Sequence, residues 1–192
     1  MPLRILTQNL FNGRAHPDAL AQVLDDYEPD VVAVQELSTN SSAVLAAWGA
    51  TTLLDPRDDT TGMGLAVRGT ANLSRPDFPR RDPIRAVLPA AEWGFDTDVE
   101  VINAHLVNPI AKPIRASLQL RRAEITALEA LLQSNGPPES RVLIGDLNSS
   151  PAWPIYRRLS ALASDAAVVA GTARRTWGPH PSSPRMLRID HA

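Results

Sequence analysis

Apolar positions along the chain follow two alternating rhythms, dense β-branched runs and helical spacings, and their order predicts the architecture. Leu3–Asn9 reads as a short strand and Phe11-Asn12-Gly13 as a turn. From Pro17 a helix follows, with Leu20, Val23, Leu24 and Tyr27 on one face. Val31–Glu36 is a β-branched run of the kind covered on both sides, and Ser38–Trp48 is a capped helix ending before Gly49. Residues 51–55, 63–67, 71–73 and 84–88 are weaker strands, separated by the Asp-Asp, Gly and Pro punctuation of an antiparallel meander.

Glu100–His105 is a further strand. Leu118, Arg122, Ile125, Leu128, Leu131 and Leu132 then outline a long helix that stops at Asn135-Gly136-Pro137-Pro138. Arg141–Asp146 returns as a buried strand, and Ile155, Leu159 and Leu162 mark one side of a helix after Pro151. Residues 165–170 read as a strand, and Met186–Asp190 closes the chain. The strand–helix–strand plan of 3–36 recurs over 100–146 without sequence identity. This order predicts an α/β (α+β) fold of two stacked mixed sheets with helices outside.

Composition narrows the class. A chain of 192 residues with 44% hydrophobic and 21% charged residues belongs with ordinary folded proteins, and its length suits one compact domain. No apolar run reaches the roughly 18 residues of a bilayer crossing, and no charged start leads into an apolar h-region. The expectation is a cytoplasmic protein with no membrane insertion and no obligate protein partner. The absence of cysteine excludes disulfides, thiolate metal sites and cysteine nucleophiles, so any metal must be held by oxygen or imidazole. A net charge of −2, from 19 basic and 21 acidic residues, supplies no global field for polyanions. Lys112 is the single lysine; the rest of the basic side chains are arginines, donors suited to phosphate.

Candidate chemistry collects just past the apolar strands. Asn9 follows Ile5-Leu6, Glu36 follows Val31–Val34, His105 follows Val101-Ile102, Asp146 and Asn148 follow Val142–Ile144, and Asp190 and His191 follow Leu187–Ile189. Strand tips in α/β proteins are rigidly held and open to ligand. Converged, these oxygen-rich groups suit a hard divalent cation such as magnesium. Taken singly, each has a plainer meaning. Gln35-Glu36 is compatible with a solvated turn, Gly145-Asp146-Leu147-Asn148 with a turn before a helix cap, His105 with an interior histidine, and Asp190 with a structural pair to Arg188.

The order and company of these strings carry more. Thr7-Gln8-Asn9, Val34-Gln35-Glu36, Asn103-Ala104-His105-Leu106, Gly145-Asp146-Leu147-Asn148-Ser149-Ser150-Pro151, Thr176-Trp177 and Arg188-Ile189-Asp190-His191 together resemble the endonuclease/exonuclease/phosphatase superfamily, across residues 7–191. The resemblance implies a deoxyribonuclease-I-like four-layer α/β sandwich and magnesium-dependent cleavage of a phosphoester, with manganese as the substitute cofactor. It implies Glu36 as the principal metal ligand supported by the Asn9 amide, and Asp146 as the carboxylate that orients or deprotonates water. Asn148 would steady water or phosphate, His105 would donate to a phosphate oxygen, and Asp190 would orient a C-terminal histidine beside a less constant His191.

Family members continue past Arg-Ile-Asp-His to a Ser-Asp-His motif on a last strand beside the first. The sequence ends at Ala192, so the expectation is a 1–192 domain lacking that strand. Asp190 then has no imidazole partner, full activity is in question, and the edge of the Leu3–Asn9 strand is open to pairing. Arg14, Lys112, Arg115 and Trp177 are the substrate-binding candidates, for phosphate contacts and base stacking. Three functions stay open: a phosphodiesterase of nuclease type acting on nucleic acid, a small-molecule or phospholipid-headgroup phosphatase, and a catalytically impaired binding homologue.

Overall fold

The computed structural model describes residues 2–134, 140–180 and 183–192. Two sheets form the centre. The first has strand order β1-β2-β4-β3, from β1 (Ile5–Asn9), β2 (Val31–Gln35), β3 (Thr51–Asp55) and β4 (Met63–Val67). The second has order β5-β6-β7-β8-β9, from β5 (Asn72–Ser74), β6 (Ile84–Leu88), β7 (Val99–His105), β8 (Arg141–Asp146) and β9 (Asp190–His191).

The recurrent plan is real in space. β1 and β2 are parallel across helix α1 (Pro17–Tyr27), and β7 and β8 are parallel across helix α4 (Ile114–Gln133). Every other strand pair is antiparallel, so both sheets are mixed. A parallel pair needs a crossover, and the helices supply it on the outer faces. Strand alternation distributes the core: Val31 and Ala33 of β2 meet Ile84, Ala86, Val101 and Ile144 between the sheets. Val32 and Val34 point outward to Leu20 and Leu24 of α1 and Leu45 of α2 (Thr39–Trp48). On the other outer face, Ala104 and Leu106 pack against Ile125 and Leu128 of α4 and Leu159 of α5 (Pro154–Leu159). Four layers result, helices, sheet, sheet and helices.

Several local expectations are corrected. Residues 165–170 are not a strand: Ala166–Val169 is a short helix, α6, capped by the Asp165 side chain on the Val168 N–H. A one-turn helix α3 (Ala90–Trp93) lies in a stretch given no element by the pattern. The closing strand is only Asp190–His191, preceded by a bridge between Trp177 and Leu187. Tyr27 is exposed, and so is Leu118; the inner face of α4 carries Ser117, Arg121 and Glu124 beside Ile125 and Leu128. The expected helix stop at Asn135-Gly136-Pro137-Pro138 lies outside the described residues. Arg188 pairs with Asp165, not with Asp190. Among the described residues no helix is long and apolar enough to cross a membrane.

Candidate active site

The strand ends of both sheets open on one cleft of about 900 Å³, and Asn9, Glu36, His105, Asp146, Asn148 and Asp190 all line it. Sheet register sets most of this. Asp146 stands beside His105 on β7 and opposite Asp190 on β9. The close approach of β8 to β7 depends on Gly145, whose φ is 128° and where a Cβ would fall 2.1 Å from the Ala104 carbonyl oxygen.

Glu36 is turned toward the cleft by a left-handed backbone, φ 57°, just past the end of β2. Asn148 has φ 46° two residues past β8, and with Phe11 at 51° and Asn12 at 53° four non-glycine residues hold an uncommon conformation at the same cleft. The Phe11-Asn12-Gly13 turn folds over Glu36: Gly13 N–H donates to its carbonyl at 3.2 Å, and Asn12 N–H donates to its Oε2.

One amide joins the two carboxylates. Asn9 Nδ2 donates to Glu36 Oε1 at 3.2 Å and to Asp146 Oδ2 at 3.0 Å. Asn9 Oδ1 accepts from Phe11 N–H at 2.8 Å, so the side chain orients the acids and its oxygen is already engaged. His105, 2% exposed, has Nε2 3.9 Å from the same two carboxylate oxygens, while its Nδ1 has no partner among the described residues. Asn148 donates its backbone N–H to Asp146 Oδ1 at 2.8 Å and its Nδ2 to the Leu106 carbonyl at 3.0 Å.

A buried polar layer supports these tips. Gln35 Nε2 donates to Asn103 Oδ1 at 2.7 Å and to Thr7 Oγ1 at 3.2 Å, while Asn103 Nδ2 donates to the Val34 and Gly64 carbonyls at 3.0 and 2.9 Å. Asn103 thereby ties its own sheet to the other directly below the cleft. From α4, Arg121 donates to the carbonyls of Val107, Leu147 and Asn148 at 2.6, 3.0 and 2.6 Å, and Glu124 accepts from Val107 N–H at 2.9 Å.

Burial pushes the Asp146 carboxyl up to about 7, with Asp190 and then Glu36 adding like-charge repulsion against the hydrogen bonds from Asn148 and Asn9. Asp190 is also raised, chiefly by burial. His105 is held neutral, pulled down to about 3 by burial and by the Arg81 cation.

A hard cation fits this set. Among the described residues no three acidic or imidazole side chains form a closed metal cage. Glu36 and Asp146 instead offer oxygens that share one amide donor, in a cleft where a carboxylate is strained by its neighbours. Magnesium typically takes only one or two carboxylates and keeps water or phosphate oxygens in its remaining positions.

The chain matches the model of the endonuclease/exonuclease/phosphatase family over residues 6–192. It belongs to that family. Membership sets the reaction class as phosphoester hydrolysis. A 3′ phosphatase from Neisseria, solved with a product DNA hairpin, is 20% identical, with a TM-score of 0.70 over 99% of this chain and 85% of that one. An AP endonuclease from Archaeoglobus fulgidus is 18% identical, with a TM-score of 0.72 over 99% and 85%. TDP2 of D. rerio, complexed with single strand DNA product, is 20% identical, with a TM-score of 0.66 over 98% and 82%. These likenesses establish the deoxyribonuclease-I-like sandwich. No curated protein matches the sequence of this family member.

The remaining candidates divide. Arg14 and Trp177 line the cleft, whereas Lys112 and Arg115 are exposed and do not. His191 is not brought to the cleft: its Nε2 lies 2.7 Å from the Ser149 carbonyl and its Nδ1 3.4 Å from Asp165, and the ring packs on Tyr156. Strand alternation explains this, since neighbouring residues on β9 face opposite ways. Sequence reasoning missed Arg81, Asn12, Asn108 and Arg185 in the cleft and Arg121 and Glu124 beneath it. Arg121 and Glu124 had a usable signal, helical spacing with Ser117, Ile125 and Leu128. Arg81 had none beyond being an arginine before Asp82-Pro83.

Proposed function

We propose that this family member is a divalent-metal-dependent phosphodiesterase of nuclease type, acting on nucleic acid. The observation supporting it most strongly is the Asn9 amide bridging Glu36 and Asp146, with neutral His105 3.9 Å from both carboxylates and Asp190 lining the same cleft. Magnesium, or manganese in its place, would be held by Glu36 and would supply positive charge against a phosphoryl group and its leaving oxygen.

The chain's own residues provide the rest. Asp146, with its raised proton affinity, is suited to take a proton from water near neutral pH. The Asn148 N–H fixes one oxygen of that carboxylate and the Asn9 amide the other, so its direction is set before substrate arrives. Because His105 is neutral, one ring N–H is available to a phosphoryl oxygen, and no reprotonation is needed first. Arg14 and Arg185 sit on the rim, where they can hold flanking phosphates.

Two exposed rings favour a nucleic acid over a sugar phosphate or lipid headgroup. Phe11 is 49% and Trp177 41% exposed, and both line the cleft, Phe11 with the Arg14 guanidinium over its ring at 5.1 Å, so that ring edges and open surface there suit a base. The Neisseria and D. rerio neighbours were solved with DNA products. Against this stands the overall charge of −2, which favours a small phosphoester. The test sets end-labelled oligonucleotides, single-stranded, duplex, abasic and 3′-phosphorylated, against phosphate release from small monoesters and phospholipid headgroups. Magnesium-dependent cleavage of an oligonucleotide supports the proposal. Release from small esters alone replaces it with the phosphatase reading, and magnesium binding without turnover replaces it with the impaired homologue.

A further inference from the structure

Arg121 is 3% exposed on the inner face of α4, and among the described residues its hydrogen bonds all go to backbone carbonyls past strand ends. Nη1 donates to the Val107 carbonyl, two residues after His105, and Nη2 to those of Leu147 and Asn148, one and two residues after Asp146. One side chain thereby joins the loops that leave β7 and β8. Glu124, on the same helix face, accepts from the Val107 N–H, so α4 holds the peptide units on both sides of Val107.

The consequence falls on Asn148. The Leu147 carbonyl and the Asn148 N–H belong to one planar peptide unit. Arg121 holds the oxygen of that unit at 3.0 Å, while its N–H donates to Asp146 Oδ1 at 2.8 Å. The following unit is held through the Asn148 carbonyl at 2.6 Å. Fixing both units fixes the Asn148 backbone, at a left-handed φ of 46° that a non-glycine residue keeps only under constraint. Ser117 satisfies a single loop carbonyl, that of Asn108, whereas spanning two successive units takes the planar fork of a guanidinium. Burial works against this cation, pulling it down to about 10, and among the described residues no carboxylate forms an ion pair with it. An apolar face would pack α4 at less electrostatic cost but would leave the Leu147–Asn148 unit free to turn.

We propose that Arg121 is a positioning residue for hydrolysis, holding the Leu147–Asn148 peptide unit so that its N–H stays aimed at the Asp146 carboxylate. Arg121 itself does not line the cleft. Its effect reaches the reaction through the direction of one carboxylate, where a displacement of about 1 Å lowers turnover by up to about a hundredfold. This deepens the reading of the cleft as a phosphoester-hydrolysing site and rests on it for the role of Asp146. Lysine keeps the charge but puts one ammonium where the fork spans three carbonyls, so Arg121→Lys retains the helix face and loses the grip.

Two measurements test it, steady-state oligonucleotide cleavage in magnesium and amide hydrogen exchange of the chelator-treated protein. In Arg121→Lys, kcat scaled for the folded fraction should fall about tenfold or more, with KM and the magnesium midpoint within about twofold of the parent. The Asn148 amide should exchange about tenfold faster, and the β2 amides at the parent rate. Ser117→Ala frees a neighbouring loop carbonyl from the same helix face without touching residues 147–148, and should change kcat by less than about threefold. Scaled kcat of Arg121→Lys within about twofold of the parent, an unchanged Asn148 amide, or an equal loss in Ser117→Ala overturns the proposal. If Arg121→Lys does not fold, Arg121→Gln is read by the same measurements, and failure of both to fold overturns it by making the residue a requirement of the fold. Absence of cleavage by the parent counts against the nuclease reading, and the Asn148 amide alone then decides whether Arg121 orients that N–H.

Discussion

Asp146 and Asp190 are cross-strand partners on β8 and β9, a buried acid and a half-buried one paired at one register position. Burial and this proximity leave the Asp146 carboxyl at about 7. A group whose folded value exceeds its unfolded value of roughly 4 binds more protons in the native state between those two pH values. Stability of the metal-free protein must therefore fall as pH rises from about 4 toward 7, by up to a few kcal/mol. Chelator-treated protein should unfold at lower denaturant at pH 8 than at pH 5, after correction for other groups by comparison with Asp146→Asn. The Asp146→Asn protein should lose most of that dependence, and added magnesium should restore stability to the parent at pH 8.

Asn103 joins the sheets beneath the cleft, so its removal is a test of structure before chemistry. Asn103→Ala leaves the Val34 and Gly64 carbonyls and Gln35 Nε2 short of a buried partner. A loss of roughly 2–5 kcal/mol is expected in urea unfolding. A loss under about 0.5 kcal/mol, the size of an ordinary surface change, would show that the link contributes little.

His191 is expected to matter for folding and not for turnover. His191→Phe keeps the ring against Tyr156 but removes the hydrogen bond to the Ser149 carbonyl. The cost should be roughly 1–3 kcal/mol of stability, with kcat changed by less than about threefold. A hundredfold fall in kcat with intact stability would place the imidazole in the chemistry.

The central strands and most of the site were legible because their signals are local. Val31–Val34 is β-branched and apolar on both faces, and a polar residue following such a run marks a strand tip. Asn9, Glu36, His105, Asp146, Asn148 and Asp190 all follow apolar runs in this way, and one cleft contains them. Ala166–Val169 misled because four residues ending in two valines have no resolvable period, and the Asp165 cap decides for helix. His191 misled because adjacency in sequence means opposite faces on a strand. Arg81 is a buried polar group whose partners come from other loops, so no local pattern announces it, whereas Arg121 and Glu124 share the helical spacing of Ser117, Ile125 and Leu128.

Glu36→Gln measured against the parent in a magnesium titration of oligonucleotide cleavage bears most directly on the proposed chemistry. The side chain keeps its shape and loses its charge, so the Asn9 contact can persist while the cation loses its anchor. We expect magnesium to be required at higher concentration and the maximal rate to fall by roughly a hundredfold or more, with Asp146→Asn losing rate at nearly unchanged magnesium demand. Parent-like cleavage by Glu36→Gln, at the parent's magnesium midpoint, would contradict the assignment of this cleft as the metal-dependent active site.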